Sequence, residues 1–235
     1  MKLNQYILLM CVLLSWNASA DNGQDYLELV RNNYLNLKSA SVQLDYTLYK
    51  GYTNDSVVQA YSSQYRKVNG NTYRQIGGTE LINSGDVSLK IDHNQKTMIV
   101  SDYTSINYLD FDIEQTLAYC KTVKVTPLGK KNKVVMILKD QSDIPFNKIE
   151  LELDKNLWIS EITMYYSNQI NFATSYFDQE LDFPKLVVSY HQIDRKWKDK
   201  EGILQLENYI ISQKNNLQPA QPLQDYQLID IRKSN

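Results

Sequence analysis

The sequence predicts a mostly β (α+β) protein: a single curled antiparallel sheet with helices packed on its concave face. Three observations lead there. Apolar and polar residues alternate along "SVQLDYTLYKG", "DVSLKID" and "NKIELELD", the period of a strand with one buried side. Turn signals such as "NGN", "SGD" and "HNQK" separate such runs, since Asn and Gly accept positive φ at low cost. One amphipathic helix precedes the first strand, and a short second helix interrupts the series. Strands that are wet on one side must bury the other, and a sheet curled over helices suits this order of elements. A flat two-sheet sandwich is the competing architecture.

The chain opens with "MKLNQYILLMCVLLSWNASA", which reads as a secretory signal over residues 1–20. Lys2 gives a short positive region and Ile7–Leu14 an apolar core too short to span a bilayer. Ala18-Ser19-Ala20 is a small-x-small cleavage site, so the mature chain is expected to start at Asp21 and to run as one domain over 21–235. Lipidation at Cys11 is disfavoured because Met10, which precedes it, is not small. These features predict an exported protein.

Asp25, with Glu28 three residues on, reads as a capping box opening a helix. Tyr26, Leu29, Val30, Tyr34 and Leu37 then recur at helical spacing, and the helix should end near Lys38–Ala40. The period changes to two in the next segment, where Val42, Leu44, Tyr46 and Leu48 share one face. "SVVQAYSSQYRKV", "TYRQIGG", "TELIN", "DVSLKID" and "TMIVSD" continue a meander. "SINYLDFDIEQTLAYC" reads as a loop entering the second helix, with Ile113, Leu117 and Ala118 apolar. "KTVKVTPL", "NKVVMILKD", "NKIELELD", "LWISEITMYYS", "INFATSYF", "KLVVSYHQID" and "GILQLENYII" read as further strands. "RKWKDKE" is a charged loop carrying Trp197, "NNLQPAQPLQ" a connector and "DYQLIDIR" a last strand.

Composition narrows the function classes. Of 25 basic and 27 acidic residues, the leader removes one lysine and no acid. The slightly negative mature chain offers no broad attraction to nucleic acid or to an anionic membrane. Cys120 is the only cysteine after the leader, so no internal disulfide framework exists, and the thiol is expected as a small buried apolar group. The 18 tyrosines against 5 phenylalanines suit strands and surfaces that are apolar along a ring and polar at its tip.

No strong catalytic motif appears: no G-x-S-x-G, no H-E-x-x-H, no C-x-x-C and no phosphate-cradling glycine loop. Gly77-Gly78 reads as a bend. His93 and His191 each lack a second ligand at metal spacing and are expected to face solvent or make a single bond. Asp110, Asp112 and Glu114 read as an acidic helix start rather than a calcium loop. Glu150, Glu152 and Asp154 share the polar side of a strand and read as a solvated face, not as a catalytic pair. Trp197 reads as folded onto its own hairpin.

Three stretches carry a resemblance. "LNLKSASVQLDYTLYKG", "YRKVNGNTYRQI" and "INSGDVSLKIDHNQKTMIVSD", with the final "QPLQDYQLIDIRKSN", resemble the periplasmic lipoprotein carrier LolA and its superfamily. The resemblance is clearest over residues 25–102, and the segment 168–216 is hard to match. It implies an incomplete barrel whose concave apolar side holds acyl chains under helical lids. The family's functional arginine on its early basic strand has two candidates here, Arg66 and Arg74.

Taken together, the expected cavity lining is Leu44, Tyr46, Leu48, Leu89, Ile91, Met98, Val100, Leu151, Leu153, Ile162 and Met164, all directed to one interior. Leu29, Val30, Tyr34 and Leu37 would form the lid helix. The expected ligands are a lipid or the acyl chains of a lipoprotein, with envelope membrane proteins as further partners. Catalysis, cofactor, metal and nucleic acid are not expected, and the protein should be a monomer. The alternative is a cell-envelope sensor or protein-interaction module with a filled barrel and no lipid.

Overall fold

The computed structural model describes residues 22–53, 55–103, 113–140, 144–175, 178–213 and 216–232. The leader, Cys11, Asp110 and Asp112 lie outside the described residues.

Helix α1 spans Asn22–Leu35 and helix α2 Ile113–Tyr119. The strands are β1 (Ser39–Tyr49), β2 (Val57–Val68), β3 (Asn71–Ile76), β4 (Thr79–Ser84), β5 (Val87–Asp92), β6 (Thr97–Asp102), β7 (Cys120–Leu128), β8 (Lys131–Leu138), β9 (Phe146–Leu153), β10 (Ile159–Tyr166), β11 (Ile170–Asn171), β12 (Leu181–Asp182), β13 (Lys185–Asp194), β14 (Ile210–Gln213), β15 (Asn216–Pro219) and β16 (Gln227–Asp230). Twelve of them form one sheet in the order β16-β6-β5-β4-β3-β2-β1-β13-β10-β9-β8-β7, with β11–β12 and β14–β15 as separate ribbons. The sheet is mostly β, large and not closed into a barrel, as an incomplete barrel requires. It is antiparallel except at one end, where β16 runs parallel to β6.

The order of strands brings distant segments together. β1 lies centrally, between β2 and β13, so the start and the late part of the chain share one ladder. Asn69 and Gly70 at the β2–β3 turn have φ of 50° and 92°, the left-handed values that "NGN" was expected to supply.

Several boundaries differ from the sequence reading. Helix α1 begins at Asn22, ahead of Asp25, and ends at Leu35. A Cβ on Gly23 would lie 2.5 Å from the Val123 carbonyl oxygen, so the absence of a side chain lets the helix start rest directly on β7. "INFATSYF" contributes only the two residues of β11 within its described part. "GILQLENYII" is not one strand: the Asp199 carboxylate accepts the N–H groups of Ile203 and Leu204, both at 2.9 Å, and draws the chain into a turn. A single 3-10 turn, Leu206–Asn208, follows before β14. The connector "NNLQPAQPLQ" supplies β15, which pairs with β14.

Register shows which face each strand buries. Val42, Leu44 and Tyr46 of β1 stand opposite Tyr65, Ser63 and Tyr61 of β2. Tyr65 stands opposite Arg74, which stands opposite Leu81, which stands opposite Lys90. Tyr73, Ile82, Leu89 and Val100 are aligned with one another one residue out of step. One residue out of step on a strand is the other side of the sheet. The core therefore changes face at β2–β3. From β7 to β2 the apolar side lies under α1, the helix face. From β3 to β16 it lies on the far face, under residues 197–226.

Candidate functional site

The helix-face interior is built mainly by strands. Val134 and Met136 of β8, Ile149, Leu151 and Leu153 of β9, Ile162 and Met164 of β10, Val188 and Tyr190 of β13, and Val42, Leu44 and Tyr46 of β1 form one buried cluster. Cys120 joins it at the start of β7, where burial pushes its thiol up to about 11. The thiol is a small apolar filler there, as expected.

Helix α1 covers this cluster with three buried side chains, Leu27, Val30 and Tyr34, further along the helix from the point where Gly23 rests on β7. Their spacing of three and four follows the helical period. Leu29, expected on the apolar stripe, is 55% exposed, because the buried line runs one position earlier, through Leu27. Leu37 is half-buried beyond the helix end.

Polar contacts at the rim hold the cover down. The Tyr34 hydroxyl accepts the buried Ile159 N–H at 2.8 Å, and burial holds that phenol well above its ordinary pKa. The Tyr34 ring meets Trp158 edge-on at 5.0 Å. Asn132 donates to the Tyr26 hydroxyl at 2.8 Å and Asn33 donates to the Asn156 carbonyl at 3.0 Å. Arg31 pairs with Glu114 of α2. At the β1–β2 end, Tyr46 stacks on Tyr61 with ring centroids 4.6 Å apart. Arg74 reaches across β2 and donates to the Tyr46 hydroxyl at 2.6 Å.

The expected lining is thus divided. Leu44, Tyr46, Leu151, Leu153, Ile162 and Met164 come together beneath α1, with Leu48 half-buried on the same side of β1. Leu89, Ile91, Met98 and Val100 stand on the far face, against Leu204 and Leu223. The single interior expected from the sequence is two clusters separated by the sheet itself. Trp197 packs half-buried at the edge of the second cluster, with the Arg66 guanidinium 5.3 Å from its ring. His93 is more engaged than expected: it lies 2.7 Å from Glu80 and 2.8 Å from the Tyr226 hydroxyl, and so ties the last segment to β4. His191 stays exposed, 3.3 Å from Asp45.

Carboxylates on the outer side of the helix half form ion pairs instead of a reactive pair. Lys133 and Lys148 hold Glu150 at 2.8 and 3.1 Å, and Lys131 holds Glu152 at 2.8 Å. Burial alone would raise the Glu150 carboxyl, and the two lysines outweigh it and set it below the usual range. Among the described residues no group of His, Cys, Asp and Glu is placed to hold a metal. No helix among them is long and apolar enough to cross a membrane.

Sequence reasoning missed Leu27, Val134 and Met136. "VVMIL" in β8 is apolar at every position, so alternation cannot tell its inward side from its outward side. Leu27 was hidden because Leu29 and Leu35 add apolar residues on the exposed side of α1.

Three solved structures are similar to this chain. A LolA superfamily protein from Nitrosomonas europaea has 12% identity and a TM-score of 0.34, over 78% of this chain and 97% of its own. A domain assigned to outer membrane lipoprotein sorting, from Vibrio parahaemolyticus, has 11% identity and a TM-score of 0.35, over 77% and 96%. An uncharacterized conserved protein from Thermus thermophilus has 10% identity and a TM-score of 0.44, over 88% and 98%. No protein-family model and no curated protein matches the chain.

Proposed function

We propose that the protein is an exported, non-enzymatic carrier that shelters the acyl chains of a lipid or lipoprotein beneath α1, on the helix face of its open sheet. Leu44, Tyr46, Leu48, Leu151, Leu153, Ile162 and Met164 would line the site, and α1 would be its lid. One observation carries this reading: a broad apolar strand surface is closed mainly by one helix, α1, whose buried side chains are Leu27, Val30 and Tyr34, with Ile113 of α2 beside it.

The magnitudes allow exchange. Withdrawing three such side chains costs roughly 5–9 kcal/mol, and the Tyr34 hydrogen bond adds about 1 kcal/mol. An acyl chain gains about 0.8 kcal/mol per buried methylene, so about eight to twelve methylenes match that cost. Uptake and release would then be close to balance, as a carrier needs. Fold by itself does not choose the cargo.

The test is native mass spectrometry of residues 21–235 after incubation with phospholipid and acylated peptide. It is run on the wild type and on N33C/N156C joined by a short thiol crosslinker. A lipid-mass adduct in the wild type that the crosslink prevents supports the proposal. A bare mass in both, or equal adducts in both, overturns it. The full burial of Leu27 and Val30 favours a second reading, an envelope interaction module with a filled interior, and a bare mass throughout would select it.

A further inference from the structure

The loop after β13 alternates in charge and direction. Trp197 turns in toward the far-face cluster and Arg66. Asp199 turns in to the N–H groups of Ile203 and Leu204, and Glu201 lies 3.4 Å from Arg66. Lys196, Lys198 and Lys200, between them, are all exposed, and among the described residues they form no ion pair. With Asp194, Trp197 and Glu201 they line an open recess of about 420 Å³.

Register adds cations at the same end of the sheet. Ser39 donates to the Arg195 carbonyl at 3.1 Å, and Asn69 donates to the Lys38 carbonyl at 2.8 Å. The Arg195 guanidinium lies 4.1 Å from the Trp158 ring, beside the turn that carries Lys155. Arg195, Lys38 and Lys155 are exposed. The carboxylates nearby are engaged. Asp194 accepts the Lys196 N–H at 2.9 Å, and Asp154 accepts those of Asn156 and Trp158 at 2.8 and 3.0 Å. Loop folding thus turns Asp199 toward the protein and leaves the three ammonium groups outside, with Asp194 and Glu201 at the surface among them.

We propose that this lysine end docks the protein on an anionic membrane surface. The chain as a whole carries a formal charge of −2, so attraction is confined to this end and binding is oriented. The lysines stand where a charged headgroup layer would meet them, and an anionic bilayer is the partner whose charge complements them. Docking is independent of acyl-chain burial and would survive its failure.

The test is vesicle flotation of the full mature protein. Phosphatidylcholine vesicles containing phosphatidylglycerol are compared with phosphatidylcholine alone, at low and high salt, for the wild type and K196Q/K198Q/K200Q. Each lysine near such a surface is worth about fivefold in partition, so the triple variant should lose on the order of a hundredfold. Expected is wild-type binding to the anionic vesicles only, lost at high salt and in the triple variant. Circular dichroism should match the wild type, and lipid-mass uptake should be unchanged in the variant. Absent wild-type binding at low salt, equal binding to both vesicles, or an unaffected triple variant overturns the proposal.

Discussion

From β7 to β2 the sheet buries the face of Leu44, Met136 and Leu151; from β3 to β16 it buries the opposite face, through Ile82, Ile91 and Met98. The two covers differ in kind. Over the helix half lie α1, with three buried side chains and separate polar contacts at its rim, and Ile113 of the short α2 beside it. Over the far half lies a turn, a 3-10 turn and the β14–β15 hairpin, and the chain then returns as β16 to join the sheet. The first cover can lift with its own hydrogen bonds intact. The second cannot leave without unpairing β16 and breaking the Glu80–His93–Tyr226 chain. Only the helix half is therefore suited to opening, though both halves bury an apolar cluster.

The largest expected effect breaks the floor beneath the helix. Leu151→Ala should cost about 2–5 kcal/mol in urea unfolding, because the packed strands on either side cannot collapse into the space. Leu27→Ala, in the cover, falls in the same range, whereas Leu29→Ala should stay within about 0.5 kcal/mol. Equal costs at 27 and 29 would contradict the assigned face of α1.

Next comes the latch. Tyr34→Phe keeps the ring against Trp158 and leaves the Ile159 N–H without its acceptor, a cost of about 1–3 kcal/mol. Hydrogen exchange should then speed up in α1 and at Ile159, with residues 197–226 unchanged. Faster exchange in both covers would show that the halves do not open separately.

The smallest effects are pH-dependent and of opposite sign. Glu150 has a folded-state pKa below its ordinary value, so its stabilisation is present at neutral pH and is lost as pH falls through the carboxylate range. Glu150→Gln should destabilise at pH 7 and approach neutrality in acid. Glu161 is raised, first by burial and then by Glu152, so its charged form costs stability at neutral pH. Glu161→Gln should stabilise at pH 7, with the gain vanishing in acid. Urea midpoints across this range check both signs.

Much of the fold was legible because wet strands alternate: β1, β5 and β9 were read in place, and so was the order helix, strands, helix, strands. What was not legible is the change of face at β2–β3. Leu44 and Leu89 both sit in clean alternating strands, and each strand announces that it has an apolar side. Neither announces which side of the shared sheet that is, since this depends on register carried through three intervening strands. The cover of the far half was hidden for another reason. Its local structure rests on the Asp199 side chain and on pairing between β14 and β15, not on any hydrophobic period.

Trp158 and Trp197, the two tryptophans of residues 21–235, allow the central claim to be tested directly in the mature protein. Trp158 packs at the helix-face cluster and Trp197 at the far-face cluster. In single-tryptophan variants, W158F and W197F, fluorescence is followed as a fatty acid brominated along its chain is added. If acyl chains lodge beneath α1, Trp158 is quenched and Trp197 is not. Quenching of Trp197 alone, or of neither, would contradict the assignment of the helix half as the container.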